Sequence, residues 1–147
     1  MSASTEPADD RGLRHALDLE ALRALGQRYA RAVDSGDHDA LLDLFHHDAV
    51  IDGFRGVQAR DEYVDTMRAT PKAYERSMHV LGDPLLSLVP GADTATLDTY
   101  AVVHQIGALA TPGGDNAAIG MRYYDEAVRD GDTWRIIRRR TEMLWMS

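Results

Sequence analysis

Apolar positions recur with a helical period in the N-terminal half of the chain and with a strand period in the C-terminal half. After Asp18, a residue type favoured at helix N-caps, the apolar positions are spaced by three or four residues, which predicts an amphipathic helix. These positions are Leu19, Leu22, Leu25, Tyr29 and Val33. Gly36 suits the left-handed position that ends a helix, and Asp37 can then cap a second, shorter helix carrying LLDLF (41–45).

Two short strands and a third helix are predicted between residues 49 and 82. The segment AVIDGF (49–54) is a short strand that ends at a glycine turn. The segment VQARDEYVDTMRA (57–69) is predicted as a helix and is followed by Pro71, and SMHVLG (77–82) is strand-like.

In the rest of the chain the period changes to two. Four segments read as strands, and RDGD between the last two is a hairpin signal: LLSLV, TATLDTYAVVHQI (94–106), AIGMRYYDEAV (118–128) and TWRIIRRRTEMLW (133–145). Helices followed by long antiparallel strands indicate an α+β fold. We expect a cone-shaped, curved antiparallel sheet wrapped around three N-terminal helices, with an internal pocket.

The composition indicates one folded domain without disulfides. Hydrophobic residues make up 44% and charged residues 27% of the chain, and there is no cysteine. Residues 1–16 are polar and are expected to form a flexible leader ahead of a single domain over residues 17–147.

The net charge and the absence of long apolar runs limit which kinds of partner and which cellular compartment are expected. The formal net charge is −8 and the pI is near 5.1, which argues against nucleic acid or an anionic membrane as the main partner. The basic run RIIRRR (135–140) is expected to be a solvated or salt-bridged face. With no secretory signal and no apolar run near 18 residues, we expect a cytoplasmic protein.

The candidates for chemistry are histidines, tyrosines and carboxylates. Asp34 stands near the C-terminal end of the first helix, where the helix dipole disfavours a carboxylate; it is either a local turn-former or a functional group. His79 and His104 each lie in an apolar strand, where a satisfied core residue is the ordinary alternative to a catalyst. Tyr29 lies on the apolar stripe of the first helix, so packing is its alternative role.

Alternation along the strands groups further polar side chains by face. Tyr123 and Asp125 share a face of one strand, although Tyr123 can equally be an ordinary strand former. On the preceding strand one face carries Asp98, Tyr100, Val102 and His104.

A metal site is not expected. FHHDAVID offers His46, His47, Asp48 and Asp52 and can be read as a metal cluster, but as neighbours at a helix end His46 and His47 would point in different directions and are poorly placed to share an ion. The chain also lacks thiolates and histidine pairs at helical ligand spacing. We therefore expect no metal and no cofactor.

Four stretches together carry a resemblance over nearly the whole chain after residue 17. They are ALGQRYARAVDSGDHDALLDLFHHDAVIDG, SMHVLGD, TYAVVHQ and GMRYYDEAVRDGDTWRIIRRR. The sequence resembles the SnoaL-like branch of the nuclear transport factor two-like superfamily, which includes scytalone dehydratase, bile acid dehydratase, hexachlorocyclohexane dehydrochlorinase and polyketide cyclases. The resemblance implies a cone of α+β structure with a pocket between a curved sheet and the helices.

The resemblance also implies site residues. The dehydratase branch has an aspartate near the end of the first helix, a histidine on the strand after the third helix and, in scytalone dehydratase, a second histidine on the next long strand. Asp34, His79 and His104 match these three places, and we predict them as catalytic.

Substrate binding is predicted for three tyrosines. Tyr29 matches the pocket tyrosine of bile acid dehydratase, and Tyr123 falls where a polar pocket residue is expected, although scytalone dehydratase has an amide there. Tyr100, on the strand face of His104, completes the set.

These residue types suit acid–base elimination. A histidine base removes a proton beside a carbonyl or activated carbon, while a buried carboxylate fixes its tautomer, and a second histidine or a tyrosine protonates the leaving hydroxyl. We predict a cofactor-independent lyase, a dehydratase of a small hydrophobic or aromatic substrate, with His79 as base, Asp34 as its orienting partner and His104 as acid. An isomerase or polyketide-type cyclase using the same base, and a non-catalytic small-ligand-binding module, are the alternatives.

Self-association is also predicted. The long strands are rich in Ile, Met, Trp and Tyr and end in TEMLWM (141–146). This is more apolar sheet than three short helices can cover, so we expect a homo-oligomer, either a trimer or a dimer.

Overall fold

Three helices and seven strands make up the described part of the chain. A computed structural model describes residues 7–110 and 113–147. In chain order the elements are α1 (Ala8–Ser35), α2 (His38–Leu44), β1 (Phe45–Gly53), β2 (Gly56–Ala59), α3 (Arg60–Ala69), β3 (Tyr74–Leu81), β4 (Leu85–Ser87), β5 (Thr94–Ala108), β6 (Ala117–Asp130) and β7 (Thr133–Met146). The predicted α+β fold is confirmed. None of the helices in this part of the chain has the length and apolar character needed to cross a membrane.

Helix α1 begins earlier than the sequence pattern indicated. It starts at Ala8, directly after Pro7, so Asp18 is not its N-cap. Asp18 is instead buried in the middle of the helix, where it accepts hydrogen bonds from Arg129 and from the indole of Trp134. The same carboxylate that suits a cap also suits a buried ion pair, and the pattern alone did not distinguish the two. Residues 8–16, assigned to the leader, are helical, whereas residues 1–6 lie outside the described residues. The domain boundary at residue 17 stays a prediction.

The junction between α1 and α2 follows the predicted local chemistry. Gly36 adopts the left-handed conformation with φ of 69°, and its N–H donates to the carbonyl of Val33. Asp37 caps α2 by accepting a 3.0 Å hydrogen bond from the N–H of Ala40. Asp34 is thereby fixed in the last turn of α1.

The strands form one curved, unclosed mixed sheet in the order β2-β1-β7-β6-β5-β3, with β4 paired to β5. Pairing is antiparallel except between β1 and β7, which run parallel. The helices pack on the concave face. The core between the helices and the sheet contains residues from both, including Leu22, Leu25, Leu41, Phe45, Val64 and Ile136.

Candidate active site

Asp34 and His79 form a hydrogen-bonded pair where the end of α1 meets the edge strand β3. Asp34 Oδ1 lies 2.7 Å from Nδ1 of His79, and Asp34 Oδ2 accepts a 2.8 Å hydrogen bond from the backbone N–H of the same residue. The hydroxyl of Ser77, on the same face of β3, donates to Asp34 Oδ1 at 2.7 Å. The predicted contact between Asp34 and His79 is present, and Ser77 is a partner that the sequence reasoning missed.

These hydrogen bonds determine the charge of Asp34. Burial alone raises the pKa of a carboxyl group, but the hydrogen bonds from the His79 backbone, the Ser77 hydroxyl and the His79 ring outweigh it and hold the pKa of Asp34 below its usual value. Asp34 is therefore an anion that accepts the Nδ1–H of His79. When the ring is neutral, Nδ1 therefore carries the proton, and the lone pair that can accept another proton is on Nε2.

His79 lines an inner chamber of about 200 Å³ between the helices and the sheet. Its side chain is only 6% exposed. The chamber wall combines apolar strand residues with tyrosines, among them Tyr29, Tyr63, Val103, Met121 and Tyr123. In this nearly dry setting the electrostatic contacts of the imidazole are stronger than they would be in water.

Three tyrosines converge beside His79. The hydroxyl groups of Tyr29 and Tyr63 lie 3.2 Å apart, and the Tyr29 ring packs edge-on against His79 and Tyr123 at centroid distances of 5.8 Å and 5.6 Å. Burial, and next the neighbouring Tyr29, raise the pKa of both Tyr63 and Tyr123. These phenols are therefore neutral hydrogen-bond donors. Tyr63, on α3, was not predicted from the sequence, where it reads as one more helix residue.

A buried cation lies beneath the tyrosines. The guanidinium of Arg139 is 2% exposed, forms a two-pronged salt bridge of 2.7 Å and 2.7 Å with Asp125, and stands 4.1 Å from the Tyr29 ring centre and 4.5 Å from that of Tyr123. The Asp125 charge outweighs the cost of burial and raises the pKa of Arg139, so the guanidinium stays charged. The cation–π contact places positive potential under both phenols and strengthens them as donors.

The basic run at residues 135–140 was expected to be a solvated or salt-bridged face, and Arg139 is salt-bridged but buried. Arg138 and Arg140 are exposed as expected, but β7 has a register shift between Ile136 and Arg138. The extra residue of the bulge turns Arg139 to the face that Ile136 occupies. The sequence offered one indication that an arginine of this run is buried. Asp125 shares a strand face with Tyr123, and a carboxylate that is buried there needs a cationic partner.

His104 and Tyr100 do not belong to this site. In β5 the residues opposite His79 and Leu81 are Val103 and Ala101, so the inward face carries Val103 and Ala101. Strict alternation sends His104 and Tyr100 to the outer face, and Tyr100 is 58% exposed. The predicted grouping of these residues with Asp98 on one face was right, but that face points away from the helices. The roles of His104 as acid and of Tyr100 in substrate binding are corrected on this ground.

His46 and His47 lie in strand β1, not at a helix end. Their ligand atoms and a carboxylate oxygen of Asp48 lie within 4.8 Å of one another, so the geometric reason given against a shared ion does not hold. Nδ1 of His46, however, already accepts the backbone N–H of Asp48 at 3.1 Å. In the neutral ring this places the proton on Nε2, so binding an ion at either nitrogen would require that bond to be given up.

Comparison with known proteins gives the family. A family model described as a SnoaL-like domain matches residues 14–140. No curated protein sequence matches the chain.

Solved structures share the fold over nearly their whole length. A hexachlorocyclohexane dehydrochlorinase from Novosphingobium barchaimii superposes with a TM-score of 0.78 at 17% identity, covering 92% of each chain. A candidate scytalone dehydratase from Novosphingobium aromaticivorans gives 0.78 at 17% identity, covering 95% of this chain and 90% of that one. A candidate aromatic ring hydroxylase from the same organism gives 0.71 at 25% identity, covering 97% and 95%. The chain therefore belongs to the SnoaL-like domain family.

Proposed function

We propose that this protein is a cofactor-independent acid–base lyase that eliminates water from a small hydrophobic or aromatic substrate. The observation that carries the proposal is the Asp34–His79 pair, in which a partly buried carboxylate, kept ionised by its hydrogen bonds, accepts the Nδ1–H of the imidazole and leaves the basic Nε2 available to the inner chamber that His79 lines. The names of two structural neighbours, a dehydrochlorinase and a candidate dehydratase, describe eliminations and support this class.

In the proposed reaction Nε2 of His79 removes a proton from the carbon beside the substrate carbonyl. The electron pair of that C–H bond forms the new double bond, and the C–O bond to the leaving hydroxyl breaks. Asp34 stabilises the imidazolium that forms. The hydroxyl leaves as water with a proton from a phenol, and the proton held by His79 then restores that phenol, so the enzyme is regenerated without any cofactor.

The acid in this scheme is the tyrosine cluster, in place of His104. Tyr29 and Tyr63 are connected hydroxyl to hydroxyl, both line the inner chamber, and Tyr29 packs against the base. Neutral phenols above a buried guanidinium can donate either to a departing hydroxyl or to a carbonyl oxygen that gains negative charge. The second of these uses favours enolisation, so an isomerase or cyclase using the same base is the second candidate.

The test is proton exchange and elimination measured together. Wild-type protein is incubated in D₂O with 4-hydroxy-4-phenylbutan-2-one, an aromatic β-hydroxy ketone, and NMR follows deuterium entry beside the carbonyl and formation of the conjugated enone. We expect both, and a loss of about 100-fold or more in His79→Gln. His104→Gln is the matched control and should keep the wild-type rate, because its side chain is on the outer face.

The outcomes separate the candidates. Exchange without enone would favour the isomerase or cyclase. No exchange above the buffer rate across a series of β-hydroxy ketones of this size would contradict both, and would leave small-ligand binding as the function.

A further inference from the structure

The inner chamber shares part of its wall with a second, outer chamber of about 420 Å³ between α3 and the β1–β2 hairpin. Five residues line both cavities: Tyr29, Gly53, Phe54, Tyr63 and Gln105. A ligand that reaches His79 from this side therefore passes the walls of the outer chamber.

The charge of the outer chamber differs from that of the protein as a whole. The chain carries 24 acidic and 16 basic residues, yet no carboxylate is among the described residues that line this chamber, and their one formal charge is Arg55. Arg55 also has no ion pair or hydrogen-bond partner for its guanidinium in the described part of the chain, whereas Arg60 and Arg68 nearby are paired with aspartates. An unpaired guanidinium at a cavity free of carboxylates attracts anions.

Arg55 is held at the tip of a tight hairpin. Gly53 pairs with Gly56 across β1 and β2, so Phe54 and Arg55 are the two loop residues, and Gly56 takes the positive φ of 85° that the return of the chain needs. The hairpin thus presents an aromatic ring and a guanidinium side by side, and the Phe54 ring lines both chambers.

Uncharged hydrogen-bonding side chains also line the outer chamber. The side-chain amide of Gln105 has no hydrogen-bond partner within the described residues although it lines both chambers. The hydroxyl of Thr66 accepts from Gln58 at 3.0 Å, which leaves its proton for another acceptor. The outer chamber offers donors and a cation, while the inner chamber offers apolar walls and the base.

We infer that the substrate carries a carboxylate on an apolar or aromatic body, and that Arg55 binds this carboxylate while the body extends into the inner chamber beside His79. A planar guanidinium recognises a carboxylate with two parallel hydrogen bonds. The inference rests on the proposed function only for the identity of the reacting site, since binding itself needs no turnover.

The test compares a carboxylate with its neutral isostere. Binding of 2-naphthylacetate and 2-naphthylacetamide is measured by calorimetry to the wild-type protein, to Arg55→Gln and to Arg31→Gln. Arg31 is the matched control, because it is an exposed arginine of α1 that lines neither chamber and undergoes the same change of charge. We expect the wild-type protein and Arg31→Gln to prefer the carboxylate by roughly fivefold or more, a preference that weakens as salt is raised. Arg55→Gln should bind both compounds equally.

Three results would overturn the inference: equal affinities in the wild type, a preference that survives in Arg55→Gln, and no binding of either compound. His79→Gln separates this inference from the proposed function. If His79→Gln keeps the preference while the wild type shows no proton exchange, the anion site stands and the lyase mechanism fails. If the wild type catalyses proton exchange and forms the enone but shows no preference for the carboxylate, the lyase mechanism stands and the anion site fails.

Discussion

The hydroxyl of Ser77 donates to the same oxygen of Asp34 that lies 2.7 Å from Nδ1 of His79. The carboxylate is thus held by two residues on one face of β3, by the serine and by the backbone and ring of the histidine two residues on. This arrangement fixes the carboxylate before any substrate binds, which is what an orienting group requires.

Removing that hydroxyl should loosen the pair without abolishing it. We expect Ser77→Ala to raise the pKa of Asp34, because one of the hydrogen bonds that favour its anion is lost, and to cost about 1 kcal/mol of stability. Carbon-13 NMR of the aspartate carboxyl groups measures the pKa, and urea denaturation measures the stability. Ser87→Ala, on the exposed strand β4, is the control and should change neither. An unchanged Asp34 titration would show that the serine contact does not support the pair.

Asp34 should make the stability of the fold sensitive to acid. Its pKa is lower in the folded protein than in the unfolded chain, so the unfolded chain binds more protons as the pH falls. The contribution is fully present above the ordinary aspartate pKa of about 4 and is lost as the pH drops through the lower, folded value. Denaturation midpoints between about pH 6 and pH 3 should therefore fall less steeply in Asp34→Asn than in the wild type. Parallel curves would contradict this.

The tyrosine cluster should contribute to rate. We expect Tyr63→Phe and Tyr29→Phe each to slow formation of the enone by about 10- to 100-fold, because a neutral phenol is lost from the inner chamber. Tyr124→Phe is the control, since that ring lies on the outer face against Arg122 and Arg140. A Tyr63→Phe variant with the wild-type rate would remove Tyr63 from the mechanism.

The buried ion pair under the tyrosines should be far more sensitive than an exposed one. Asp125→Asn leaves the guanidinium of Arg139 buried and uncompensated, and we expect a loss of about 3–5 kcal/mol in the free energy of unfolding. Asp98→Asn breaks a similar two-pronged pair with Arg122 that is partly exposed, and should cost no more than about 1 kcal/mol. Similar losses in the two variants would show that burial does not set the difference.

Self-association stays a prediction, and the structure locates the surface on which it depends. The outer sheet face and the end of β7 expose large apolar side chains, with Met143, Leu144, Trp145 and Met146 at 44–61% exposure. We expect a second or third copy of the chain to cover them. Light scattering at micromolar concentration should give a dimer or trimer, and Tyr100→Glu should weaken it. A monomeric wild type would contradict the prediction.

Local sequence determined the elements. Glycine at position 36 and aspartate at position 37 set the α1–α2 junction because their effects act through neighbouring backbone atoms. The period of two gave β5, β6 and β7, and the resemblance to the SnoaL-like branch pointed to Asp34 and His79, which the fold brings into contact. The start of α1 was missed, because Asp18 serves a long-range partner that no local pattern contains.

Only the tertiary structure decided which strand faces are inside. Both faces of β5 mix apolar and polar residues, so alternation groups Tyr100 with His104 but cannot say whether that group meets the helices or the outside. One of the two register shifts between β6 and β7, the one between Ile136 and Arg138, likewise brought Arg139 inward, against the alternation of its neighbours. The alternation of side chains along a strand defines its two faces. Which face is buried depends on which one the helices cover, and that is decided by contacts between residues far apart in sequence.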